Sequence, residues 1–115
     1  MKHRDYITIS KIIEELTIAE DLIEHTTQQE FENDEMRKRA TAMTVINVGE
    51  LVKIISDETR TAYPDIPWKQ AAGFRDVAAH KYQTLNMGDV YDTVKNDFPV
   101  FKIKLQSIIH KTINE

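Results

Sequence analysis

Between Ala40 and Ile55 the chain places Met43, Val45, Ile46, Val48, Leu51, Val52, Ile54 and Ile55 on nearly every side of a helical wheel. A helix that is apolar all round is wrapped by other elements rather than laid on a surface. With 115 residues, the chain can wrap one such helix only as a single domain, residues 1–115. Only 3 Gly and 3 Pro occur, too few turn formers for a many-stranded sandwich or barrel. The implied fold class is all-α, an up-and-down helical bundle built around a long central helix. Asn47, Gly49 and Glu50 interrupt the apolar pattern. Gly is costly inside a helix relative to Ala, so Gly49 is expected where a second helix crosses closely. Asn47 and Glu50 read as internal hydrogen-bonding groups rather than as catalysts.

The flanking segments supply the wrapping. A first helix is expected from about Asp5 to His25, with Ile9, Ile12, Ile13, Leu16, Ala19 and Ile23 at helical spacing. Glu14, Glu15, Glu20, Asp21 and Glu24 crowd its outer side as a solvated face. Thr26 to Asn33 lacks periodicity and reads as a loop, with Asn33 as N-cap and Asp34 and Glu35 in the first turn of the central helix. That helix is expected to continue to about Ala62. Tyr63-Pro64-Asp65-Ile66-Pro67-Trp68 ends it, and Pro67 suits the first position of a third helix carrying Trp68 to Tyr82. Gln83 to Gly88 is a connection. Val90, Val94, Phe98, Phe101, Leu105 and Ile108 then share one apolar stripe. Pro99 lies within that stripe, so the chain either kinks there or restarts with Asp97 as cap. His110 and Lys111 complement the negative helix end.

Several function classes fall away. There is no Cys, so neither a disulfide framework nor a thiolate metal site exists. His3, His25, His80 and His110 are scattered without a carboxylate pattern, so no metal and no cofactor are expected. Met1-Lys2-His3-Arg4 is not followed by an apolar signal core, and no run of about 18 apolar residues occurs. A cytoplasmic location and no membrane association are the resulting expectations. With 15 basic against 19 acidic residues the net charge is -4, which disfavours a module that coats nucleic acid more than an enzyme that grips a few phosphates.

The third helix carries the chemistry. At about 100° per residue, Ala71, Phe74, Val77 and Ala78, with the stem of Lys81, form a core face. The opposite arc holds Ala72, Arg75, Asp76, Ala79, His80 and Tyr82. Ala72, Asp76 and Ala79 make a seam of small residues that lets a second backbone approach, and Arg75, Tyr82 and His80 flank it. Arg75 and His80 stand roughly 140° apart around the helix, so one copy does not bring them side by side. If the seam is a two-fold axis, two imidazoles and two guanidinium groups line one cleft of a homodimer. RNA brings its own nucleophile, the 2′-hydroxyl, so such a cleft suffices for cleavage. One His80 takes the hydroxyl proton, the other protonates the leaving oxygen, and Arg75 holds the phosphate. Asp76, four residues before His80, is expected to favour the imidazolium form or orient the ring. Spacing alone leaves open a plainer alternative, in which Arg75 and Asp76 pair with other charges, His80 caps the helix end and Tyr82 packs.

Arg75-Asp76-Val77-Ala78-Ala79-His80-Lys81-Tyr82 resembles the signature of the HEPN superfamily: Arg, four residues, His, one residue, Tyr. Arg39, Val48-Gly49-Glu50, the Tyr63 to Trp68 stretch and Asp97-Phe98-Pro99 are similar to the HepT-like branch, so the resemblance covers roughly residues 8 to 110. It implies a single HEPN (HepT-like) domain that dimerises through the motif helix, with Arg75 and His80 catalytic and Asp76 and Tyr82 supporting. It further implies a metal-independent RNase toxin with an RNA substrate and a cognate antitoxin, a minimal nucleotidyltransferase of MntA-like type. Tyr82 is the implied position for attachment of AMP by that partner. The alternative under the same resemblance is a catalytically silent nucleotide- or RNA-binding subunit of a nucleotidyltransferase complex. A purely structural helical dimer is a third reading.

Overall fold

The computed structural model describes residues 1–83 and 87–114, with the side chains of residues 81–83 excepted. Among the described residues every element is helical. They are α1 (His3–Ile23), α2 (Gln28–Glu32), α3 (Glu35–Lys53), α4 (Asp57–Ala62), α5 (Trp68–Ala72), α6 (Phe74–Gln83), α7 (Gly88–Asp92) and α8 (Phe98–Ile113), with a π-helical turn at Thr93–Asp97 joining the last two. No helix among them is long and apolar enough to cross a membrane.

α3 is the spine, packed on α1 along one side and on α5 and α6 along another. α1 buries Ile9, Ile12, Leu16, Ala19 and Ile23, the expected stripe. It runs antiparallel to α3: Asp5 meets Ser56, Glu15 meets Asn47, and Arg37 donates to the Leu22 carbonyl. The acidic side of α1 is solvated at Glu14, Asp21 and Glu24. Glu15 instead accepts from Asn47 Nδ2 at 2.9 Å, and Glu20 faces Lys102 Nζ of α8 at 3.5 Å. Asn47 is thus the internal bonding group expected.

Three expectations for the chain up to Ala62 need correction. The stretch read as a loop contains α2, closed at its start by a capping box in which Thr27 accepts from Glu30 N and Glu30 accepts from Thr27 N. Asn33 ends α2 rather than capping α3; Asp34 is the cap, accepting from Arg37 N at 3.0 Å. The central helix stops at Lys53 instead of reaching Ala62, and Ser56 opens α4 as its cap.

That stop is braced from across the bundle. The buried carboxylate of Asp5 accepts from Ser56 N at 3.1 Å, from the Ser56 hydroxyl, and from Thr59 Oγ1 at 2.6 Å. Burial raises the Asp5 pKa, but the Ser56 and Thr59 hydrogen bonds outweigh it and the net direction is down. Arg60 folds back to donate to the carbonyls of Val52 at 2.8 Å and Ile55 at 3.2 Å, adding side-chain donors at the α3 terminus.

α3 is also less wrapped than its composition implies. Val45, Val48 and Val52 are buried, but Met36, Met43 and Ile54 are exposed on one open side. Beyond it, Trp68 anchors the Tyr63–Pro67 connection by donating its indole N–H to the Tyr63 carbonyl at 3.0 Å. Pro67 precedes α5 as its cap rather than holding the first helical position. The third helix expected as one piece is divided at Gly73 into α5 and α6. The stripe Val90, Val94, Phe98, Phe101, Leu105 and Ile108 is buried as expected. Its Pro99 neither breaks the chain nor leaves Asp97 a side-chain cap: Phe98 N–H reaches back to Thr93 O in the wider π turn. A regular turn would aim the Lys95 carbonyl at the missing Pro99 N–H; the added residue removes that conflict. The ring of Phe74 lies 5.2 Å from Phe98 and 6.1 Å from Phe101, which fixes the start of α6 against α8.

Candidate functional site

α6 presents the faces expected of it. Phe74 and Ala78 are buried and Val77 is half-buried, while Arg75, Asp76 and His80 are exposed. Ala79 is half-buried on α6, whereas Ala72, also half-buried, ends α5 and packs against the core, so the expected seam of small residues is interrupted at Gly73. Tyr82 belongs to α6 by its backbone; the expectation that its side chain shares the Arg75 stripe lies outside the described residues, as does the stem of Lys81.

Gly49 sets where α6 sits. A β-carbon built there would stand 2.7 Å from Arg75 N, 2.8 Å from Arg75 Cβ and 3.0 Å from the Ala72 carbonyl oxygen. Only Gly lets the two backbones come this close, so the expected close crossing is present and falls directly beneath Arg75. The residue after it, Glu50, is thereby delivered to the Arg75 guanidinium and ion-pairs with Nε. Arg75 Nη1 also donates to Asp76 Oδ1 at 3.3 Å. Arg75 is 44% and Glu50 51% exposed in their side chains, so this is a surface-accessible cation held by carboxylates rather than a buried pair.

The reading of Glu50 as an internal group is therefore corrected: it is exposed and ion-pairs with Arg75. Its signal in the sequence was adjacency, because the neighbour of a crossing glycine flanks the crossing. Asp76 engages Arg75, and among the described residues no hydrogen bond or ion pair joins it to His80. The structure does not bring Arg75 and His80 into contact within one chain, in keeping with their angular separation.

A cleft of about 440 Å³ opens beside Glu50, between α1 and α3, and Glu14, Glu15 and Lys11 contribute its charge. Its carboxylates make that side unfavourable for a phosphate backbone. The α6 side of Arg75 carries the carboxylate of Asp76, and the exposed His80 lies on the same helix. Among the described residues no three His, Asp or Glu side chains converge as a metal cage. The chemistry available to this surface is phosphate gripping by a guanidinium and proton transfer by an exposed imidazole.

Comparison with known proteins finds relatives along most of the chain. A protein of Thermococcus cleftensis named "Probable ribonuclease HepT" is 30% identical over 110 residues, 92% of this chain and 94% of the relative. "Putative RNase MJ1216" of Methanocaldococcus jannaschii is 34% identical over 97 residues, 82% of this chain and 80% of the relative. A longer protein of the same organism, "Gamma-glutamylcyclotransferase and putative RNase MJ0434", is 28% identical over 105 residues, and the chain spans only 47% of its length. No solved structure matches the chain. The profile of the family described as "Ribonuclease HepT-like" matches residues 12–108, which takes in α3 with Gly49 and Glu50 and the whole of α6. The chain belongs to the ribonuclease HepT-like family.

Proposed function

We propose that this chain is a metal-independent endoribonuclease acting as a homodimer, and that it is the toxin of a toxin–antitoxin pair. One observation carries the reading. Arg75 and His80 stand exposed on one helix within the region shared with a ribonuclease family, and Arg75 is held at the surface across Gly49.

The chemistry requires two proton-transfer groups on opposite sides of the phosphorus, and one chain offers one exposed His80. A second copy related across Ala72, Asp76 and Ala79 supplies the other. An imidazole accepts the proton of the 2′-hydroxyl, and that oxygen forms a bond to the adjacent phosphorus. The bond from phosphorus to the 5′-oxygen breaks, and that oxygen takes a proton from the second, protonated imidazole. Arg75 neutralises the charge that builds on the equatorial oxygens. The products are a 2′,3′-cyclic phosphate and a 5′-hydroxyl. The exposed Met36 and Met43 of α3 support a second copy on this side, since with Glu50 they occupy successive heptad positions leading to the site. Light scattering with activity measured on the same dilution series tests the composite site. Activity should follow the dimer fraction, and a monomer that cleaves at full rate contradicts it.

Control is proposed at Tyr82. The partner is a minimal nucleotidyltransferase that uses ATP: the phenol oxygen bonds to the α-phosphorus, pyrophosphate leaves, and the phenol proton passes to a base. Seven residues beyond Arg75 is a rise of roughly 10 Å along the helix, within reach of an attached nucleotide. The added phosphate offers Arg75 an anion and denies the cleft to RNA. Intact-mass measurement after co-expression should show one AMP per chain, absent in Tyr82→Phe. An increase that persists in Tyr82→Phe places the modification elsewhere.

A further inference from the structure

Two carboxylates share Arg75, and they take different nitrogens of its guanidinium. Glu50 pairs with Nε, while Asp76 accepts from Nη1 at 3.3 Å. The positions are not equivalent. Glu50 reaches Arg75 from another helix, whose backbone lies against that of Arg75 at Gly49. A bond to Nε from there fixes the guanidinium relative to the fold. With Nε taken, the two-pronged edge left for a phosphate is Nη1 with Nη2. Asp76 sits on that edge, from the neighbouring position on the same helix, with a side chain 70% exposed. An exposed pair of this kind is weak and exchanges readily for a stronger anion.

Building on the ribonuclease reading above, we propose that the two carboxylates divide the work. Glu50 is a positioning residue that aims Arg75. Asp76 is an anion stand-in that occupies the phosphate-binding edge of Arg75 until an RNA phosphate displaces it. In the free enzyme the phosphate-binding edge of each Arg75 thus carries Asp76, and binding of RNA exchanges one anion for another on a fork that is already aimed. The cost of that exchange falls on affinity, whereas the aim of the fork falls on the rate at saturation.

Glu50→Gln and Asp76→Asn each remove one negative charge within reach of Arg75, so a general electrostatic effect moves both in the same way. The two proposed roles move them differently. Affinity is read with a 2′-O-methyl oligoribonucleotide, which binds without being cleaved, and the saturating rate with the matching all-ribose oligonucleotide. Asp76→Asn should lower Kd by about two- to fivefold, with its main effect in Kd. Glu50→Gln should lower the saturating rate by roughly tenfold or more, with a smaller effect on Kd. Equal gains in affinity with no loss of rate in Glu50→Gln overturn the division, as does weaker binding by Asp76→Asn. Nuclear magnetic resonance of the Arg75 Nε–H group separates this proposal from the ribonuclease reading. The signal should be protected from solvent exchange in the wild type and in Asp76→Asn and lose protection in Glu50→Gln. Wild-type protein that cleaves no RNA defeats the ribonuclease reading alone. Protection that survives Glu50→Gln defeats the positioning role whatever the cleavage result.

Discussion

His80→Ala and Arg75→Ala should each reduce RNA cleavage by at least about 10²-fold while leaving the helical fold intact. His80→Ala removes the imidazole from both copies of a dimer, so neither the acid nor the base survives. Arg75→Ala removes the phosphate grip and leaves Glu50 facing the substrate as an unpaired negative charge, which adds repulsion to the lost attraction. Neither residue belongs to the buried core, and the Arg75 pairs are exposed. Stability should therefore change by no more than about 1 kcal/mol. Thermal melts and initial rates on one preparation check both parts. Cleavage retained in His80→Ala contradicts the assignment of the proton-transfer group.

Gly49→Ala should damage stability and activity together. The added β-carbon meets Arg75 N at 2.7 Å and the Ala72 carbonyl oxygen at 3.0 Å, and both are backbone atoms that no rotamer change can move. The helices must separate, at a cost of about 1–3 kcal/mol for an overpacked contact. A shift of α6 by an ångström also misplaces Arg75, and misplacement on that scale costs on the order of 10²-fold in rate. A variant with wild-type melting temperature and wild-type rate shows that the crossing does not set the geometry of the site. The same exchange at Gly73 meets only the Gln70 carbonyl oxygen inside 3.4 Å, at 3.2 Å, so the large effect is specific to the crossing.

What could be read in advance follows from the kind of interaction involved. Periodic burial is local information, so the core stripes of α1, α6 and α8 were legible, as was the close approach at Gly49 in an otherwise apolar helix. Family membership was legible from Arg75 to Tyr82 together with the Pro-Trp lead-in. The brace on the break after Lys53 was not, because Asp5 bonds to Ser56 and Thr59 from the far end of α1. Helical spacing cannot show a carboxylate arriving from fifty residues away. The open side of α3 was hidden for a related reason: Met43 and Ile54 read as core by type, and only packing tells which side lacks a neighbour. Glu50 was undervalued because a lone acid in an apolar helix is usually a satisfied internal group. Its pairing with Arg75 depends on the crossing of α3 and α6, which helical spacing does not show.

The central claim is cleavage by the 2′-hydroxyl of the substrate, without metal, at the Arg75–His80 surface. A DNA oligonucleotide carrying a single ribonucleotide, incubated with the protein in excess chelator and resolved by mass spectrometry, tests it most directly. The account predicts one cut, on the 3′ side of the ribonucleotide, leaving a 2′,3′-cyclic phosphate and a 5′-hydroxyl, with the all-DNA strand untouched. Cleavage of the all-DNA strand, or cleavage of the chimera only after magnesium is restored, contradicts it.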